Sequence, residues 1–144
     1  MSSESRLYTF STPTKDKLRK FRLSTSRAKD PQAVIYQIDK KTLEISQADD
    51  ETYTSMPDLS DELPDNSPRF VLLSYPITMV FASGRQSVPY VLISYLPSTC
   101  NQESRMLYAG AKELMRNESE AGKVIEIDDA EDLLQMEQKL KGEE

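Results

Sequence analysis

Apolar residues occur in short blocks along the chain, and the period inside each block assigns it to strand or helix. The run over 33–38, AVIYQI, predicts a strand. A polar turn over 39–42 leads into a second strand that opens at Leu43, Glu44 and Ile45, where polarity alternates. The block 68–75, PRFVLLSY, predicts a buried strand, carried past Pro76 by 78–81. Gly84 and Arg85 mark a hairpin tip, and 88–96 returns as the next strand. Pro76 and Pro89 have no amide to give to a ladder, so the far end of this hairpin is expected to be irregular. A last strand is predicted over 123–127, KVIEI.

Helical periods separate these strands. Thr12, Pro13 and Thr14 open a first helix, with either threonine as N-cap and Leu18 and Phe21 as a narrow apolar stripe. Residues 56–63 suit a short helix stopped by Pro64. A C-terminal helix over 130–140 is capped by Asp128 or Asp129 and carries Leu133, Leu134, Met136 and Leu140. The longest helix, beginning near Thr99 or Asn101, covers NQESRMLYAGAKELMRN and shows apolar residues on two faces. At about 100° per residue, Leu107, Gly110, Ala111 and Leu114 form the expected core stripe. The opposite side carries Gln102, Arg105, Met106, Ala109, Glu113 and Arg116, with Gly110 at its edge leaving room for another surface. A flexible methionine ringed by arginine and glutamate fits the centre of a partner-binding surface. Single exposed apolar residues are also common on any protein.

The order is helix, two strands, short helix, two strands, long helix, strand, helix. The first four strands can pair as antiparallel neighbours, and the strand–helix–strand unit at the end requires a parallel crossover. The expected fold is α/β (α+β): a single mixed sheet of about five to six strands sandwiched between helices on both faces. Residues 1–12 are expected to be a flexible N-terminal segment and 13–144 a single domain. No repeat or low-complexity tract interrupts them.

Composition narrows the function classes. Net charge is −6 and the isoelectric point near 4.8, which offers no broad basic field for nucleic acid. Basic residues concentrate only near the start, at Lys15, Lys17, Arg19, Lys20, Arg22, Arg27 and Lys29. The chain has no histidine, which removes histidine triads and histidine zinc sites, and only 4 glycines, too few for a Gly-rich phosphate loop. The pairs Asp49-Asp50 and Asp128-Asp129 lack Ca²⁺-loop spacing. The lone Cys100 permits no internal disulfide, and the nearly apolar run 88–97 is too short for a bilayer. The start lacks the apolar block of a secretory signal. These features lead us to expect a cytosolic monomer with no membrane contact, no catalytic residue, no metal and no cofactor.

Eight segments, in order along nearly the whole chain, resemble the glia maturation factors, a branch of the actin-depolymerising-factor homology (cofilin-like) superfamily. They are KLRKFR from Lys17, QIDK from Gln37, DELP from Asp61, PRF from Pro68, SY at Ser74, GR at Gly84, MLYAGAK from Met106 and EDL from Glu131. Depolymerising members that bind actin typically carry lysines just before the Met-x-Tyr-Ala segment. This chain has Glu103 and Arg105 there, and the glycine after Tyr108-Ala109 is characteristic of the maturation-factor branch. The resemblance implies binding to the actin-related protein 2/3 complex, inhibition of branched nucleation and dissociation of branches, with little or no binding to ordinary actin.

It further implies that the long helix lies in the barbed-end groove of the complex's actin-like subunit. Met106 would be the anchor, Ala109 and Gly110 would allow close approach, and Gln102, Arg105, Glu113 and Arg116 would form a polar rim. The N-terminus, with Ser2 and Ser3, would pack beside it, and phosphorylation there would add negative charge. A second contact is implied at Ser83, Gly84, Arg85 and Gln86. Residues 77–81 are more apolar than the family pattern, so Met79 and Phe81 are either an apolar wedge or hairpin packing. The implied location is the cytoplasm and cortical actin cytoskeleton, with the nucleus left open. Competing readings are cofilin-like filament or monomer binding with severing, a small enzyme using Asp128 and Asp129, and a scaffold whose long helix fits another groove.

Overall fold

The computed structural model describes residues 8–25, 29–78 and 86–142. In chain order the elements are α1 (Thr12–Thr25), β1 (Gln32–Ile38), β2 (Ile45–Gln47), α2 (Met56–Glu62), β3 (Arg69–Ser74), β4 (Ile77–Thr78) and β5 (Gln86–Ser87). They continue with β6 (Tyr90–Tyr95), α3 (Gln102–Ser119), β7 (Lys123–Ile127), a 3-10 helix (Ala130–Gln135) and α4 (Met136–Gly142). Five strands form one mixed sheet in the order β2-β1-β3-β6-β7. Its pairings are antiparallel except for the parallel β6–β7 pair, which α3 connects.

β1, β2, β3 and β6 pair as antiparallel neighbours, as expected, but not in chain order. β2 returns against β1, but β3 pairs with the other side of β1, because α2 carries the chain across between them. At the Pro76/Pro89 end, β3 stops at Ser74, the Tyr75 amide reaches the Pro89 carbonyl at 3.1 Å, and β4 and β5 pair as a separate ribbon.

Alternation along the strands feeds two cores. Ile35, Val71 and Ile93 lie in register and face Leu59, Leu133 and Met136 from α2 and the C-terminal helices. Val34, Leu72 and Leu92, one residue along, face Leu18 of α1 and Tyr108, Ala111 and Met115 of α3. The central strands are therefore buried on both faces, which explains why their sequences read as continuous apolar runs.

Local chemistry sets the helix ends. The α1 cap is Ser11, not a threonine: its Oγ accepts the Thr14 amide at 3.2 Å. The second strand begins only at Ile45, since Leu43 has φ 62, a left-handed conformation no strand uses. The C-terminal segment winds first as a 3-10 helix capped by Asp129, whose Oδ1 accepts the Glu131 amide at 2.9 Å. Three residues per turn stack Leu133 and Met136 into the same core and leave Leu134 54% exposed.

Candidate partner-binding face

One local bond sets where α3 starts, and two tertiary links fix its rotation. Its N-cap is Asn101, whose side chain accepts the Ser104 amide at 2.7 Å. The Tyr108 hydroxyl passes into the core and accepts the Ile38 amide at 2.9 Å, while its ring lies 5.3 Å from that of Phe70. Burial holds the Tyr108 hydroxyl pKa above its ordinary value, partly opposed by the bond from Ile38. On the flank, Lys112 Nζ meets Glu126 Oε2 of β7 at 2.6 Å.

With the helix so held, its buried line is Ser104, Tyr108, Ala111, Met115 and Ser119. This corrects the stripe of leucines read from sequence: of that set only Ala111 is buried, while Leu107, Gly110 and Leu114 are half-buried on the flank. The opposite side matches expectation in its centre. Met106 is 62% exposed, about half a turn from the buried line, and Gln102, Ala109, Glu113 and Arg116 are exposed around it. Gly110 lies at its edge, half-buried.

Arg105 departs from the expected rim. It is half-buried, and its guanidinium donates to the Pro97 carbonyl at 2.9 Å, which draws it toward the loop before the helix. Glu113 and Arg116 form an exposed i,i+3 pair at 3.7 Å, so each partly neutralises the other. The face is thus an apolar centre with muted charge.

The chain matches the family of cofilin/tropomyosin-type actin-binding proteins over residues 8–141. It is 40% identical over 130 residues to protein AIM7 of Saccharomyces cerevisiae, covering 85% of this chain and 86% of that one. Human glia maturation factor beta is 41% identical over 122 residues, covering 82% of this chain and 80% of the relative. The chain belongs to the glia maturation factor branch of that family. The solution structure of the Caenorhabditis elegans glia maturation factor superposes with a TM-score of 0.75 at 31% identity, covering 92% of this chain and 95% of the other. A cofilin from Streptomyces griseoflavus, at 16% identity and a TM-score of 0.71, shares the fold. The chain is accordingly an actin-related regulator of the cofilin type.

Of the other expected positions, Ser2, Ser3, Met79, Phe81, Ser83, Gly84 and Arg85 lie outside the described residues, and Gln86 is placed only by its backbone in β5. Three residues not anticipated border the face: Tyr8, Lys40 and Leu43. Tyr8 lies in the segment read as flexible, yet its hydroxyl donates to the Leu107 carbonyl at 2.9 Å, and Thr9 bridges Glu44. The pairing of a tyrosine with a distant helix carbonyl left no local signal in the sequence.

Asp128 and Asp129, the carboxylates of the enzyme reading, border an open cavity of about 400 Å³ with Asp61, Asp65 and Glu131. Asp129 is engaged in capping. Among the described residues, no group of three or more acidic or cysteine side chains is placed to hold a metal, and no helix is long and apolar enough to cross a membrane.

Proposed function

We propose that this chain binds the actin-related protein 2/3 complex through the outward face of α3, inhibits branched actin nucleation and promotes debranching. The observation that carries the reading is Met106, held 62% exposed at the centre of that face in a member of the glia maturation factor branch. Met106 is the anchor. Ala109 and Gly110 let the partner's surface approach, and Gln102, Glu113 and Arg116 fix register at the rim. Arg105 acts from the flank, beside the loop at Pro97.

The occupied groove is the barbed-end cleft of the complex's actin-like subunit, where binding excludes the first subunit of a daughter filament. Glu103 disfavours ordinary actin, since an acid facing an acidic groove repels it. Debranching needs no covalent step. It needs only tighter binding to the free complex than to the branch junction. The N-terminal serines Ser2 and Ser3 and the hairpin residues 83–86 extend the contact, and phosphorylation of the serines weakens it. The protein works in the cytoplasm at the cortical actin network.

The test is a paired pulldown, purified branching complex against purified actin filaments. Retention on the complex with no cosedimentation on bare filaments supports the proposal. Cosedimentation at low micromolar protein would favour the cofilin-like alternative, filament binding and severing.

A further inference from the structure

A groove of about 320 Å³ opens beside Met106, lined by Tyr8, Lys40, Leu43, Glu103, Met106 and Leu107. Its walls come from three separate parts of the fold. Tyr8 is tied to Leu107 by its hydroxyl bond, and Met106 forms the movable outer lip. The remaining wall is Leu43, which sits at φ 62 without being glycine. An apolar L-residue held in that conformation is strained and persists only where its surroundings impose it.

Those surroundings are visible. The Asp39 carboxylate accepts the Lys41 and Thr42 amides at 2.8 and 3.1 Å, and the Asp39 carbonyl accepts the Leu43 amide at 2.7 Å. The Thr9 amide then reaches the Leu43 carbonyl at 3.0 Å. A glycine would satisfy this backbone without strain. A leucine there packs half-buried on the core beneath α1 and α3 and presents the rest of its apolar side chain to the groove.

We propose that the groove is a socket for one large apolar side chain projecting from the partner, with an acidic group of the partner beside Lys40 and a basic group beside Glu103. The inference rests on assigning the outward face of α3 to partner binding, and it names a feature the partner must carry. Size leaves room for one large side chain: the groove holds about 320 Å³. Continuity favours the same partner, because Met106 belongs to both the face and the socket. Charge sets orientation, because Lys40 and Glu103 are exposed, of opposite sign, and both border the groove.

The experiment measures affinity for the purified branching complex. Leu43→Gly relieves the backbone strain but removes the wall together with a half-buried core contact, so urea unfolding is measured beside binding, and in the folded variant affinity is expected to fall about fivefold or more. Leu43→Met restores apolar reach and is expected to stay within about twofold of the parent. Met106→Ala reports on the face itself. If it weakens binding while Leu43→Gly does not, the socket is overturned and the face stands. If neither variant changes affinity, both fall. Methyl NMR of the unmodified chain covers the case in which Leu43→Gly unfolds. On titration with the complex, the Leu43 and Met106 methyl signals are expected to change together, and an unaffected Leu43 beside a perturbed Met106 overturns the socket.

Discussion

The helices on the two faces of the sheet bury different kinds of side chain. Under α2 and the C-terminal helices, Met56, Leu59, Leu63, Leu133, Met136 and Leu140 all point inward. α3 on the opposite face buries Ser104, Tyr108, Ala111, Met115 and Ser119, and turns Met106 to the outside. Leu134 on the first side is also exposed, but three-residue stacking of Leu133 with Met136 accounts for that. No such constraint exists in α3, a regular helix whose rotation is fixed by Tyr108 and Lys112. Burying hydroxyls is tolerable there because partners exist: Ser119 Oγ donates to the Arg116 carbonyl at 3.2 Å, and Tyr108 accepts from Ile38. The contrast separates a helix layer optimised for burial from one that also presents a surface.

The comparison breaks most directly if the two cores differ in strength. Met115 and Leu133 are both fully buried, one in each layer. Met115→Ala and Leu133→Ala are each expected to cost about 2–5 kcal/mol in urea unfolding. A Met115 cost well below the Leu133 cost would show the α3 layer to be loosely packed. Tyr108→Phe comes next. It leaves the buried Ile38 amide without its acceptor, and a loss of about 1–3 kcal/mol is expected in the same assay.

Alkaline pH sharpens the point further. Burial pushes the Tyr36 pKa up to about 12. An unfolded chain releases that proton near pH 10, while the folded one keeps it, so the unfolded state binds fewer protons above about pH 10. Stability is therefore expected to fall as pH rises from about 10 to about 12, with the urea midpoint as readout. Tyr36→Phe is expected to make that decline shallower but not to abolish it, because burial also raises the Tyr53, Tyr90, Tyr95 and Tyr108 hydroxyls.

Much of this was legible in the sequence. Valine, isoleucine and leucine runs gave β1, β3 and β6, and the single crossover at α3 required the parallel β7. The outward position of Met106 followed from helical period alone. The buried stripe did not, because Leu107 and Leu114 outweigh Ser104, Tyr108 and Ser119 on any hydrophobicity scale. The tertiary links of Tyr108 with the Ile38 amide and of Lys112 with Glu126 set the rotation, and the first spans a sequence separation of 70. Leu43 hid for a related reason: a leucine after a polar turn reads as a strand start, while the Asp39 turn, the Thr9 amide and packing on the core accompany its left-handed backbone. Arg105 read as rim, but the Pro97 carbonyl that draws it aside belongs to the preceding loop.

The smallest expected change in stability carries the functional contrast. Met106→Ala removes a side chain already 62% exposed, so unfolding free energy is expected to move by less than about 0.5 kcal/mol. Binding to the branching complex, measured on the same preparation, is expected to weaken by more than about 1 kcal/mol. Adding Arg105→Ala deepens the binding loss, and it also frees the Pro97 carbonyl, so a small stability cost belongs to that second change. The two readouts oppose those of Met115→Ala, in which stability falls and the outward face is untouched. If Met106→Ala destabilises the fold as Met115→Ala does, α3 has only one working side, and the face it turns to solvent is packing by another name.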